Sequence, residues 1–264
     1  DDMAIENKML SNIIESSQQK VEGRNFAIRK NVLQYDDVMN KQREIIYSQR
    51  DQVLNGENIK DVVVKMINDN IADTVKLYCD DNILREQWNM DSLREYYMGW
   101  VLAEDDDCLD LTLDELADMD SKKITEILQD KATKIYEENE ELLPEETMRE
   151  MERVYLLKSV DTYWMQHIDD MDNLKQGIRL RAFAQKDPVV EYRLEGFDMF
   201  DQMIDSIREN TAKLCLSAPK KIAAIQSRQL AEVEKAKQIR EKRIKELQAA
   251  KEEAIMKGER SDEI

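Results

Sequence analysis

Glycine and proline are scarce in this 264-residue chain, at six and three. An all-β protein or a series of βαβ units needs a turn every ten residues or so, and this composition cannot supply them. Histidine occurs once, as His167, and cysteine three times, as Cys79, Cys108 and Cys215. With no CxxC pair, neither a Cys/His zinc site nor a disulfide scaffold can be assembled. Free thiols suit a reducing compartment, so a cytoplasmic setting is expected. No stretch approaches the ~20 apolar residues of a membrane span, and no basic-then-apolar leader opens the chain. The phosphate loop, the GxGxxG turn, the HExxH zinc helix and the nucleophile elbow are all missing. An autonomous enzyme is not indicated.

Charge is abundant and lopsided. The chain carries 57 acidic and 39 basic side chains, a net charge of −18. That balance argues against wholesale nucleic-acid coating. Residues 101–150 hold 18 acids against 5 basic residues, whereas 219–264 hold 12 basic residues against 9 acids. What remains is an acidic, all-α protein.

Four segments follow from the patterning. In the first (1–55), Ile14, Val21, Ile28, Val32, Tyr35, Met39, Ile46 and Val53 recur at seven, or at four and three. They form one stripe of a rod over 4–54, about 75 Å long. Gly23 sits inside it, and Asn55-Gly56 provides a left-handed stop. The second (56–143) reads as several shorter helices in a small helical domain, broken at Asn89-Met90-Asp91, at Asp105-Asp106-Asp107 and between Glu140 and Pro144. The Asp105 run fails the calcium-loop pattern, because Asp110 stands where Gly belongs.

The third segment (144–217) carries Val154, Leu157, Val160, Trp164, Ile168, Met171, Leu174 and Ile178 at helical spacing. Val190, Leu194, Phe197, Phe200, Ile204, Ile207 and Leu214 then repeat the pattern. Pro188 suits a first helical position with Asp187 as its cap, so an antiparallel helical hairpin is expected. The fourth (218–264) is a charged helical tail that starts at Pro219. His167 lies among apolar neighbours and reads as a core or interface residue. At the hairpin tip, residues 173–186 hold Lys175, Arg179, Arg181 and Lys186 and no acid, and Phe183 sits at the apex. Two readings fit: a ring that caps the local core, or a probe that touches a partner.

Val21-Glu22-Gly23-Arg24-Asn25-Phe26-Ala27-Ile28-Arg29-Lys30, with Tyr35-Asp36-Asp37-Val38 and Tyr47-Ser48-Gln49-Arg50, resembles the long scaffold helix of the SecA family of bacterial preprotein translocase motors. Trp164 with His167, then Gln176-Gly177-Ile178-Arg179-Leu180-Arg181-Ala182-Phe183-Ala184-Gln185-Lys186-Asp187-Pro188, resembles that family's two-helix finger. The resemblance implies a scaffold, a helical wing over 56–143 and a finger, without catalysis on this chain. ATP and magnesium would belong to motor domains upstream. It implies polypeptide and channel contact through Arg179, Arg181, Ala182, Phe183, Ala184, Gln185 and Lys186. It also implies a finger that restrains ATP turnover, and packing of Trp164 on the scaffold near Arg24 and Phe26. The implied partners are the motor domains, a SecY-type channel and unfolded preprotein or signal peptide. Membrane contact would be peripheral, on the inner face of the bacterial cell membrane, with no nucleic acid and with a homodimer left open. Phe183 takes an apex position that is usually Tyr, and Gly23 one that is more often Ser. A free-standing helical adaptor is the alternative of another class, and an accessory export motor would share the same architecture.

Overall fold

A stripe that repeats every seven residues cannot bury itself, so the first helix must be covered by something laid along it. The computed structural model of the chain describes residues 8–55, 58–111, 115–116, 119–181 and 187–259. Its helices are α1 (Lys8–Leu54), α2 (Lys60–Tyr78), α3 (Met90–Tyr97), α4 (Ser121–Leu142), α5 (Glu145–Arg181) and α6 (Pro188–Glu259). A short 3-10 turn (Arg85–Gln87) precedes α3. No strand occurs among the described residues beyond a single bridge between Met98 and Leu102. Gly99 makes that bridge's tight turn at φ +85°, where a Cβ would be strained.

Local chemistry sets the helix starts. Asn89 accepts from the Ser92 N–H, and Asp120 from the Lys123 N–H. Asp187 Oδ1 accepts from the Val189 N–H, with Pro188 as the first helical residue. The interiors are then decided by packing. α5 and α6 form the antiparallel hairpin, and α1 runs antiparallel to α5 along it. Three cross-links fix that register: Arg50 with Asp161, Gln42 with His167, and Lys175 with Asp36.

One apolar core runs from the rod through α2, α3 and α4 into the hairpin. It holds Ile46 and Val53 of α1, Val63, Ile67 and Ile71 of α2, Leu128 and Tyr136 of α4, and Trp164 and Phe200 of the hairpin. A second, smaller core lies towards the hairpin tip, made by Tyr35, Met171, Leu174, Ile178, Val189 and Tyr192. The apolar periodicity of the second hairpin arm is only partly used. Val190, Leu194 and Phe197 are exposed, because α1 and α5 cover one side of α6 and leave the other open.

The tail does not begin at a break. α6 continues through Pro219 as one helix to Glu259, so the boundary expected at 218 is a change of surroundings within a helix. A proline inside a helix has no N–H for the carbonyl four residues back and crowds that turn. Here the freed Cys215 carbonyl, and the Leu216 carbonyl beside it, meet a side-chain donor. Asn139 of α4, fully buried, donates from Nδ2 to the Leu216 carbonyl at 2.9 Å and to the Cys215 carbonyl at 3.5 Å. Lys220 and Glu138 pair at 3.1 Å beside it.

Candidate functional site

The hairpin carries the chemistry that the sequence singles out, so its mounting decides what it can do. Three helices meet at Gln42. This polar side chain interrupts the apolar stripe of α1, and it is buried. Gln42 Nε2 donates to the Gly196 carbonyl of α6 at 3.0 Å, which leaves Oε1 to accept from His167 Nε2 of α5, also at 3.0 Å. One amide therefore ties the rod to both arms. Gly196 also permits the close approach of α5 to α6, since a Cβ there would lie 2.6 Å from the Met171 methyl.

His167 is buried, and its ring lies 5.8 Å from Trp164 and 5.7 Å from Phe200. Desolvation lowers its pKa, with Asp170 opposing weakly, so the neutral form is held. A neutral imidazole donating to an amide of the rod orients α5 against α1. Trp164 is buried in the same core as Ile46. The structure does not bring Arg24 or Phe26 to it. Phe26 is 64% exposed, and Arg24 is exposed as well. The antiparallel register sets Trp164 opposite the Ile46 level of α1, about 30 Å along the rod from Phe26. That part of the expected packing is corrected: the indole's place on the scaffold is fixed by the Gln42–His167 and Arg50–Asp161 cross-links.

Towards the tip, Tyr35 and Tyr192 meet edge to face at 4.8 Å, and Lys175 Nζ lies 5.4 Å over the Tyr35 ring and 3.7 Å from Asp36. Such pairs add about 0.5–1.5 kcal/mol beyond area burial. This clamp holds both arms to α1 close to the hairpin end. Ala182, Phe183, Ala184, Gln185 and Lys186 lie outside the described residues, as do the side chains of Arg179 and Arg181.

A polar cluster that patterning did not reveal sits where α4 turns into α5. Glu152 is buried and takes hydrogen bonds from Arg149 Nη1 at 2.7 Å and from the Tyr136 hydroxyl. Arg149 also binds Glu140, which pairs with Lys60 of α2 at 2.8 Å. Desolvation raises the Glu152 pKa, against the lowering effect of Tyr136 and Arg149. Every charge in the string has an opposite neighbour, so it serves as a structural joint. The only sequence signal was acidic and basic residues at helical spacing, which usually marks a solvated face. Among the described residues, no group of three or more His, Cys, Asp or Glu side chains is placed to share a metal ion. Nor is any helix among them long and apolar enough to cross a membrane.

The covered half of α1 ends near Tyr35. Beyond it the same stripe continues in the open: Ile14, Val21, Ile28 and Val32 are all exposed.

Residues 4–219 match the family described as the SecA wing and scaffold domain. A protein translocase subunit SecA of Acetivibrio thermocellus is 49% identical over 218 residues, which are 82% of this chain and 24% of that protein. Protein translocase subunits SecA of Clostridium botulinum and Clostridium acetobutylicum are 48% and 49% identical, each over 81% of this chain and 25% of the relative. The chain spans about a quarter of the length of these curated relatives.

Proposed function

Because this chain belongs to the SecA wing and scaffold family, we propose that it is the scaffold, wing and two-helix finger of an ATP-driven protein export motor. In this reading α1 is the beam of the machine. Its covered half carries the finger, and its open half seats motor domains that lie elsewhere in the full-length protein and hold ATP and magnesium. The finger contacts unfolded preprotein and a SecY-type channel on the inner face of the cell membrane, and it restrains ATP turnover when no substrate is engaged.

The observation that carries this reading is the clamp of Tyr35, Met171, Leu174, Ile178, Val189 and Tyr192. A hairpin that only closed a bundle would need no second core beside its end. A hairpin that pushes on a polypeptide needs its arms held to the beam, so that load reaches the beam and does not splay the arms. An apical phenyl ring supports the same reading, since dispersion contacts accept many side chains. Arg179, Arg181 and Lys186 supply charge that can hold backbone carbonyls or acidic channel loops.

The test places Phe183→Ala and Phe183→Tyr in the full-length motor, with preprotein import into vesicles and basal ATPase measured together. Tyr is expected to preserve import, and Ala to lower it at least tenfold while basal ATPase persists. Full import with Ala would reduce the ring to a local cap and remove the finger from the mechanism.

A further inference from the structure

The wing meets the rod and the hairpin around a space that side chains do not fill. α1, α2, α5 and α6 together wall a cavity of about 380 Å³. Its floor is apolar, made by Val53 of α1, Ile59 and Met66 of α2, Leu157 and Val160 of α5, and Ile207 of α6. Val62 lines it too and is 46% exposed, so it stands at the opening. Packed interiors keep few voids larger than a water molecule, whereas small-molecule sites start at about 300 Å³ and favour apolar walls between helices. This cavity is on the second scale, and nothing in the export role uses it.

Two ion pairs stand at its sides. Arg50 joins α1 to Asp161 of α5, and Arg208 joins α6 to Asp73 of α2. Both arginines line the cavity, and neither of these aspartates does. Lys65 also lines it, is exposed, and has no ion pair among the described residues. The walls thus present three cations, with Lys65 uncommitted, against the single carboxylate of Asp69.

Such walls suit an apolar ligand that ends in an anion. A cationic amphiphile would meet one carboxylate and three like charges, and a neutral one would use the floor alone. Size narrows the class further. At about 30 Å³ for a group the size of water, the space holds about twelve such groups, which is one chain of about ten carbons with its carboxylate. The two chains of a phospholipid are too large. We infer that this cavity binds a single-chain aliphatic carboxylate of about ten carbons, its tail on the apolar floor and its carboxylate on the Lys65 ammonium. Because four helices supply the walls, the bound chain touches wing, rod and hairpin at once, and binding holds the wing to the scaffold.

The test titrates the 264-residue chain with decanoate, decanol and decyltrimethylammonium, each below its micelle concentration. Methyl resonances of Met66 and Ile207 are followed together with the melting midpoint. Decanoate is expected to saturate one site, shift both methyls, raise the midpoint, and bind at least about tenfold tighter than the other two. Lys65→Glu should weaken decanoate at least about tenfold and leave decanol unchanged, whereas Lys65→Arg should keep decanoate bound. Val62→Trp, which closes the opening, should weaken decanoate and decanol alike. Both positions are exposed, so folding is not at stake, and circular dichroism checks this. The inference is overturned by binding that does not saturate, by equal affinity for decanoate and decanol, or by decanoate binding that Lys65→Glu leaves unchanged. Shifts confined to the open stripe of α1 or to the far part of α6 would also sink it, because the chain would then lie on an exposed surface.

Discussion

Asn139 and Pro219 are far apart in sequence and both act on the Cys215 carbonyl, which makes their joint removal a sharp test of the packing described above. In Asn139→Ala the Cys215 and Leu216 carbonyls lose their side-chain donor in a place that is fully buried. An unmet buried acceptor costs about 1–3 kcal/mol. A middle value of about 2 kcal/mol corresponds to a melting shift of roughly 4–8 °C for a domain of this size. In Pro219→Ala the new N–H can donate to the Cys215 carbonyl, so one of the two acceptors no longer depends on Asn139. The cost of Asn139→Ala in that background should fall to about 1 kcal/mol, a coupling of similar size. Urea unfolding of the wild type, the two single variants and the double variant, followed by far-ultraviolet circular dichroism, gives the four free energies. Additivity within about 0.3–0.5 kcal/mol would refute the reasoning, because it would mean that Asn139 does not replace the donor that proline removes.

Trp164→Ala should cost about 3–5 kcal/mol and lower the melting midpoint by roughly 6–20 °C. Trp164→Phe should recover most of this, because the buried indole N–H has no partner among the described residues; a Phe variant as unstable as Ala would show that the N–H matters. Gly196→Ala should destabilise by about 1 kcal/mol, since overpacking against Met171 outweighs the gain in helix propensity. In a Met171→Ala background the same change should become stabilising, and thermal melts of the four chains decide this. His167 has a lowered folded pKa, so its contribution to stability is present above the unfolded value of about 6.5 and is lost as pH falls below it. Chemical denaturation at intervals from pH 7.5 to 5.5 should show a decline that His167→Gln flattens. Glu152, whose pKa is raised, works in the opposite direction nearer pH 4.5.

The rod, the hairpin and the start of α6 were legible because local signals and helical period agree there. The seven-residue stripe of α1 is continuous, however, and period alone does not say which half is covered. Tyr35 and Ile46 are buried while Val21 and Ile28 are open, and only the length of the hairpin decides the difference. The same non-locality explains the other departures. Pro219 reads as a break because its missing donor is visible in sequence, whereas Asn139, which supplies a replacement, is not. Gln42 reads as a gap in an apolar stripe, although a polar residue at a seam position is itself the signal for a cross-helix hydrogen bond. Family resemblance implies partners for Trp164 near Phe26, whereas the contact register of α1 with α5 sets the indole at the Ile46 level of the rod.

The clamped length of α1, from Tyr35 to Val53, measures about 27 Å, and the open arm from Leu10 to Tyr35 about 38 Å. A lateral push of about 3 Å on the free end therefore asks for a tilt of roughly 5°, and for displacements of about 2 Å at the far end of the clamp. An interior packed as densely as a crystal does not absorb such displacements by creeping side chains. The hairpin must swing as one piece with the rod, held to it by Gln42 and the tyrosine pair. A displacement imposed at one end of the helix would arrive at the other as a rotation, through the single continuous α-helix Lys8–Leu54.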